Sequence, residues 1–227
     1  MQHISMFAAA LALAACGGTA TTETEAPTPR QPAGAHNTPT EPSDSVGVTP
    51  DDIQNPAPEF ALADLDGNTI ELASYRGKTV VLEWFNPGCP FVKYAHNDGP
   101  LTDMARQTTK SGIVWLKINS GSPGNQGNAI ELNRKAAQNW GITTPVLIDE
   151  TGKVGKKYGA KTTPHMFIVN EVGSIVYKGA LDNAPLGRAP ADGKINYVEA
   201  ALADLAAGRQ VQTAETQSYG CSVKYRE

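Results

Sequence analysis

The stretch TVVLEWFNPGCPFVKY, Thr79 to Tyr94, decides the fold. Thr79 to Phe85 is β-branched and almost continuously apolar, the pattern of a strand covered on both faces. Asn86-Pro87-Gly88 then turns the chain, and Cys89-Pro90 opens a helical stretch. Proline suits the first helical position, where its missing N–H costs nothing. A buried strand running through a turn into a helix predicts an open α/β sheet, with reacting groups at the carboxyl ends of its strands. Cys89 occupies such a place. The unpaired N–H groups and the positive end of a helix favour a thiolate there, and Lys93, one turn in, adds positive charge. The opposing possibility is an inert buried cysteine that packs as a small hydrophobe. Thiol–disulfide enzymes often carry Cys-x-x-Cys at such a turn, but the residue three after Cys89 is Val92.

The pattern outward from this stretch supports one domain. Upstream, FALADLDGNTIEL reads as two short strands around Asp66-Gly67, followed by a short helical turn ending at Gly77. Downstream, the helical stretch is interrupted near Gly99-Pro100 and continues through LTDMARQTT. Ile113–Asn119 reads as a strand, NAIELNRKAAQNWG as a helix with Gly141 past its end, TPVLIDE as a strand, and GKVGKKYGA as a short helix. HMFIVN and SIVYKGAL are strands joined by a turn at Glu171-Val172-Gly173, and NYVEAALADLAAGR is a last helix. The tail TQSYGCSVKYRE shows no obvious core pattern.

From about Pro56 to Glu227 the chain resembles the redoxin branch of the thioredoxin-like superfamily (AhpC/TSA, peroxiredoxin-like proteins). The matching stretches are APEFALADLDGNTIEL, VVLEWFNPGCPFVKY, YGAKTTPHMFIVN and the tail YGCSVKY. The resemblance implies a thioredoxin-like α/β fold, a central mixed sheet flanked by helices, with an N-terminal β-hairpin extension. It also implies a thiol-dependent oxidoreductase or antioxidant acting on peroxides or protein disulfides, re-reduced by an external thiol reductant such as a thioredoxin-like protein or a membrane thiol carrier.

On that resemblance, Cys89 is the nucleophile. Pro164 takes the place of the cis-proline facing the active cysteine, and leaves the Thr163 backbone free to pair with an extended substrate or tail. Glu83 matches the buried acid of thioredoxins. Burial would raise its carboxyl pKa and let it pass a proton near neutral pH; a strand Glu facing solvent or paired with a lysine is the alternative. Cys221, in a tail made pliable by Gly220, is the candidate resolving cysteine. A permanent structural staple, a bond to another chain and no role at all stay open for it.

Two departures weigh against efficient peroxide reduction: Asn86 stands where peroxiredoxins carry Thr or Ser, and no supporting arginine is assignable. The missing Cys-x-x-Cys argues against simple thioredoxin-type reduction. Of the four histidines, His96 and His165 fall in the domain. Together with Cys89 they suggest an alternative copper chaperone, although the paired cysteines of such proteins are missing. A second alternative is a non-catalytic binding module with a fixed Cys89–Cys221 bond. No cofactor motif is present.

The net charge of −4, with no basic cluster, excludes a nucleic-acid partner. Met6–Ala15 is too short to span a bilayer and reads as the h-region of a secretory signal, although MQHIS carries no Lys or Arg. LAAC, Leu13–Cys16, resembles the lipobox of bacterial lipoproteins, which makes Cys16 the lipidation site; a plain signal peptide cut after LAA is the alternative. Gly17 to about Gln54 lacks Phe, Trp, Tyr and Cys and reads as a disordered tether of roughly 35 Å mean span. The expected organisation is a signal peptide at 1–16, a linker at 17–54, a redoxin domain at 55–210 and a cysteine-bearing tail at 211–227. The expected place is the cell envelope, held at a membrane by lipid.

Overall fold

The computed structural model describes residues 54–226. The signal segment, Cys16 and nearly all of the linker lie outside the described residues. Among the described residues there are nine strands and five α-helices; every segment read as a strand or a helix is present, and two two-residue strands are additional. The strands are β1 (Ala61–Asp64), β2 (Thr69–Glu71), β3 (Val80–Trp84), β4 (Val114–Asn119), β5 (Val146–Ile148), β6 (Thr162–Thr163), β7 (His165–Val169), β8 (Ile175–Gly179) and β9 (Cys221–Ser222). The helices are α1 (Pro90–Asn97), α2 (Leu101–Lys110), α3 (Ile130–Asn139), α4 (Lys153–Tyr158) and α5 (Tyr197–Ala206).

Seven strands form one mixed sheet in the order β2-β1-β5-β4-β3-β7-β8. All five residues of β3 are buried. It lies parallel to β4 and antiparallel to β7, so the apolar run is indeed a central strand. The β1–β2 hairpin extends the sheet by pairing antiparallel to β5.

Alternation along β3 divides the core. Leu82 and Trp84 face Phe60, Tyr158 and Phe167 on one side, while Val81 faces Met104, Trp115, Tyr177 and Val198 on the other. A third, smaller cluster gathers Phe85, Cys89, Val92 and Val146 at the carboxyl end of β3.

The additions are β6 and β9, of which only β9 lies in the tail. β9 pairs antiparallel with β6, aligning Cys221 with Thr163 and Ser222 with Thr162. Upstream of it, Thr216 N–H donates to the Lys178 carbonyl at 3.1 Å, laying the tail along β8. Downstream, Val223 packs against the main core, and its N–H donates to the Lys161 carbonyl at 3.0 Å. The Tyr225 hydroxyl donates to Ala160 O at 2.7 Å. The tail is therefore part of the domain surface, against the expectation that it has no core pattern. The physical reason is a period of two: Cys221, Val223 and Tyr225 are partly buried, while Ser222 between the first two is exposed.

Candidate active site

Cys89 caps the N-terminus of α1 with extended backbone angles, and Pro90 follows at the first helical position. Its N–H donates to Asn86 O at 3.0 Å, and its carbonyl accepts from Lys93 N–H at 2.9 Å. The Asn86 side chain braces the turn, accepting from Gly88 N–H at 2.8 Å and donating to Gln126 O at 3.0 Å. Asn86 thus works as a loop clamp here. That use went unseen in the sequence, because Gln126 is brought in by the β4–α3 connection.

Cys89 is completely buried. Its thiol lies 3.0 Å from the Thr163 carbonyl oxygen, and the Thr163-Pro164 peptide is cis. Thr163 and Cys221 stand opposite each other in the β6–β9 pair. The structure therefore brings Cys89, Thr163, Pro164 and Cys221 to one place. Both cysteines are free thiols.

The two sulfurs differ electrically. Burial pushes the Cys89 pKa up, but hydrogen bonds from the Thr163 and Cys221 side chains, together with the Val92 and Cys221 backbone, outweigh it and leave Cys89 below the ordinary cysteine value. The Thr163 carbonyl is a separate contact that suits the protonated thiol. Cys221 is pushed up to about 11 by burial, by its hydrogen bond to Cys89 and by the Cys89 charge. The pair thus favours one thiolate, on Cys89, steadied by a thiol on Cys221. Lys93 is exposed and is not among the groups that hold Cys89 down.

Glu83 corrects an expectation. It is fully buried, but its pKa does not rise. Burial pushes it up; Lys117, His96 and Trp115 outweigh that and hold it at about 2. Lys117 Nζ lies 3.5 Å from Oε2, His96 Nε2 2.8 Å from Oε1, and Trp115 Nε1 donates to Oε2 at 3.0 Å. A carboxylate so furnished holds no proton near neutrality, so the lysine-paired alternative is the correct one. Lys117 is itself buried, which the strand pattern of IVWLKIN does not signal, because lysine is almost never fully buried unless paired.

The copper alternative does not assemble. His96 spends one ring nitrogen on Glu83 and the other on Thr102, at 2.9 Å. Among the described residues, no three His, Cys, Asp or Glu side chains are grouped as metal ligands.

The AhpC/TSA family model matches residues 53–178, more than half of the chain. The chain belongs to the AhpC/TSA family. The thiol-disulfide oxidoreductase ResA of Geobacillus thermodenitrificans is 30% identical over 125 residues, 54% of this chain and 66% of that relative. The ResA of Geobacillus kaustophilus is 29% identical over the same shares. The chain thus spans just under two thirds of the length of these curated relatives.

Two solved structures match more of it. A hypothetical protein of Sinorhizobium meliloti superposes with a TM-score of 0.67 at 27% identity, covering 77% of this chain and 94% of that one. An uncharacterized conserved protein of Geobacillus kaustophilus gives 0.67 at 31% identity, covering 77% and 92%. Among the described residues, no helix is long and apolar enough to cross a membrane.

Proposed function

We propose that this chain is a thiol-dependent oxidoreductase in which Cys89 is the nucleophile and Cys221 its resolving partner, the pair cycling between dithiol and disulfide. The single observation that carries this reading is the docked, unequal pair: a buried Cys89 favoured as thiolate beside a Cys221 thiol held at about 11. The kinship with a thiol-disulfide oxidoreductase over 125 residues supports it.

With a hydroperoxide as oxidant, the Cys89 thiolate takes the distal oxygen and releases an alcohol or water, leaving a sulfenic acid. The Cys221 sulfur then displaces the hydroxyl as water and forms the disulfide. An external dithiol returns both electrons and leaves with its own disulfide. A protein disulfide enters the same cycle by attack of Cys89, with Cys221 closing on the mixed disulfide. The enclosure of Cys89 favours small oxidants, since a protein substrate must first displace β9. A permanent staple is the weaker reading, because hydrogen bonds on both sides of Cys221 already hold the tail without a bond between the sulfurs.

The remaining organisation is part of the proposal. Residues 1–16 serve as a signal, Cys16 bears the lipid, and 17–54 links it to the redoxin domain at 55–210 and the tail at 211–227. The chain then works in the cell envelope at a membrane surface, with a thioredoxin-like or membrane-borne thiol reductant as its partner. The LAAC motif and the apolar run before it support this placement.

The test is intact mass after a brief, substoichiometric peroxide pulse with free thiols alkylated. A reductant-sensitive Cys89–Cys221 bond is expected, with a sulfenic acid trapped on Cys89 in Cys221→Ser. Two unreactive thiols, or a bond that strong reductant leaves intact, would sink the reading.

A further inference from the structure

His165 is the titratable residue of the cis-proline segment that the cysteine chemistry leaves unused. It begins β7 opposite Trp84 and is only 7% exposed. Its Nδ1 accepts from Lys161 N–H at 3.2 Å. A ring nitrogen that accepts is unprotonated, so the neutral ring carries its proton on Nε2. Nε2 has no hydrogen-bond partner among the described residues. No side-chain nitrogen or oxygen there is both sealed from solvent and unpaired. Nε2–H therefore meets solvent in the cleft that His165 lines, a space of about 730 Å³.

That cleft lies between α4 and β8, beside the tail segment Glu215–Ser218. The Tyr158 ring, 7% exposed, gives the cleft an apolar edge, backed by the fully buried Phe167 at 5.4 Å. Lys161 and Lys178 supply positive charge. Lys178 is paired with Glu215 at 3.2 Å, whereas Lys161 forms no salt bridge among the described residues. One cation is thus left over. Burial, then the charges of Lys161 and Lys178, hold His165 down to about 4, against the opposing pull of Glu215. The ring is accordingly a neutral donor near neutral pH, where a carboxylate is ionised.

We propose that this cleft binds a small organic carboxylate with an apolar body. The carboxylate accepts from His165 Nε2–H and pairs with Lys161, and the body lies along the exposed edge of Tyr158. A single surplus cation suits a monoanion, and Glu215 at the rim disfavours a higher negative charge. The size lies within the usual range of small-molecule sites, roughly 300–1,000 Å³. The occupant would touch Thr162 of β6 and the tail just before β9, but nothing in its binding calls on Cys89.

The probes are benzoate and hexanoate, with benzyl alcohol and hexanol as neutral counterparts. They are titrated into the purified protein while the imidazole resonances are followed by proton–nitrogen NMR. A saturable shift of the His165 Nε2–H signal with the carboxylates alone is expected. The affinity should fall about tenfold in Lys161→Met, as loss of a charge-assisted contact implies. Cys89→Ser should bind as the parent does, which separates this site from the fate of the redox reading. Shifts that stay linear up to about 10 mM, an equal response to the alcohols, or an affinity indifferent to Lys161→Met would each overturn the proposal.

Discussion

Thr163 and Cys221 face each other in the two-residue antiparallel pair of β6 and β9, while the Thr163 carbonyl also takes the Cys89 thiol at 3.0 Å. One threonine therefore contacts both cysteines. The strand edge that an extended substrate would pair with is occupied by the chain's own tail. The tail delivers the second sulfur and closes the site with the same hydrogen bonds, so mutations that loosen it should expose Cys89.

Gly220 is the first place to loosen it. Its φ is 128°, and a Cβ there would overlap the Thr163 carbonyl. Gly220→Ala must either strain the backbone, at about 1–3 kcal/mol, or lift β9 away. If alkylation tracks the open fraction, that range raises the Cys89 alkylation rate by about one to two orders of magnitude. An unchanged rate in a folded variant would show that β9 does not control access.

Tyr225 anchors the other side of Cys221. Its hydroxyl donates to Ala160 O at 2.7 Å, and its ring lies against Gly152 and Gly155, beneath Lys156 Nζ at 5.7 Å from the ring centre. The ring leaves no room for a Cβ at Gly155. Tyr225→Ala should free the end of the tail, speeding Cys89 alkylation several-fold while thermal unfolding of the seven-stranded sheet changes little. A matching loss in both measurements would mean that the tail unfolds only with the domain.

The thiolate can be followed directly by its ultraviolet absorbance against pH. The first band should appear below the ordinary cysteine value of 9.0, from Cys89, and the second only near 11, from Cys221. Cys221→Ser keeps a hydroxyl donor and should leave the first step low. Cys221→Ala removes the donor and should move that step upward. The sign follows from the bond: a donor to the charged form lowers an acid's pKa, and its loss raises it. Equal midpoints in the two variants would separate the Cys89 shift from Cys221.

Much of this was legible in the sequence, and the gaps have physical causes. The buried strand at Val80–Trp84, the turn into α1 and the helix at Ile130–Asn139 follow from local periodicity, and all are present. The hairpin at Asp66-Gly67 follows from turn chemistry, and Gly67 has φ 86°. The Cys89, Thr163 and Pro164 grouping came from family resemblance, since residues so distant in sequence meet only through the sheet. β6 and β9 were missed because each has two residues and exists only through the other. The fates of Glu83 and Lys117 depend on which charges share a face, and strand pairing settles that: they are register partners on neighbouring strands.

That pair yields the last prediction. Glu83 has its folded pKa depressed from 4.5 to about 2. A carboxylate depressed on folding contributes stability that is fully present above its unfolded value and is lost as pH falls through the folded one. The contribution should therefore fade between about 4.5 and about 2, visible as a steepening fall of unfolding free energy in denaturant titrations. Glu83→Gln leaves Lys117 charged and buried without its counter-ion, at a cost of about 3–5 kcal/mol. It should also flatten the acid limb of the pH profile. Glu83→Gln with Lys117→Met removes both charges and should recover most of the loss, because a well-packed apolar replacement of a buried pair is often neutral or better. If the double variant is no more stable than the single one, the hydrogen bonds of Glu83 to His96 and Trp115, rather than the Lys117 charge, hold this part of the core together.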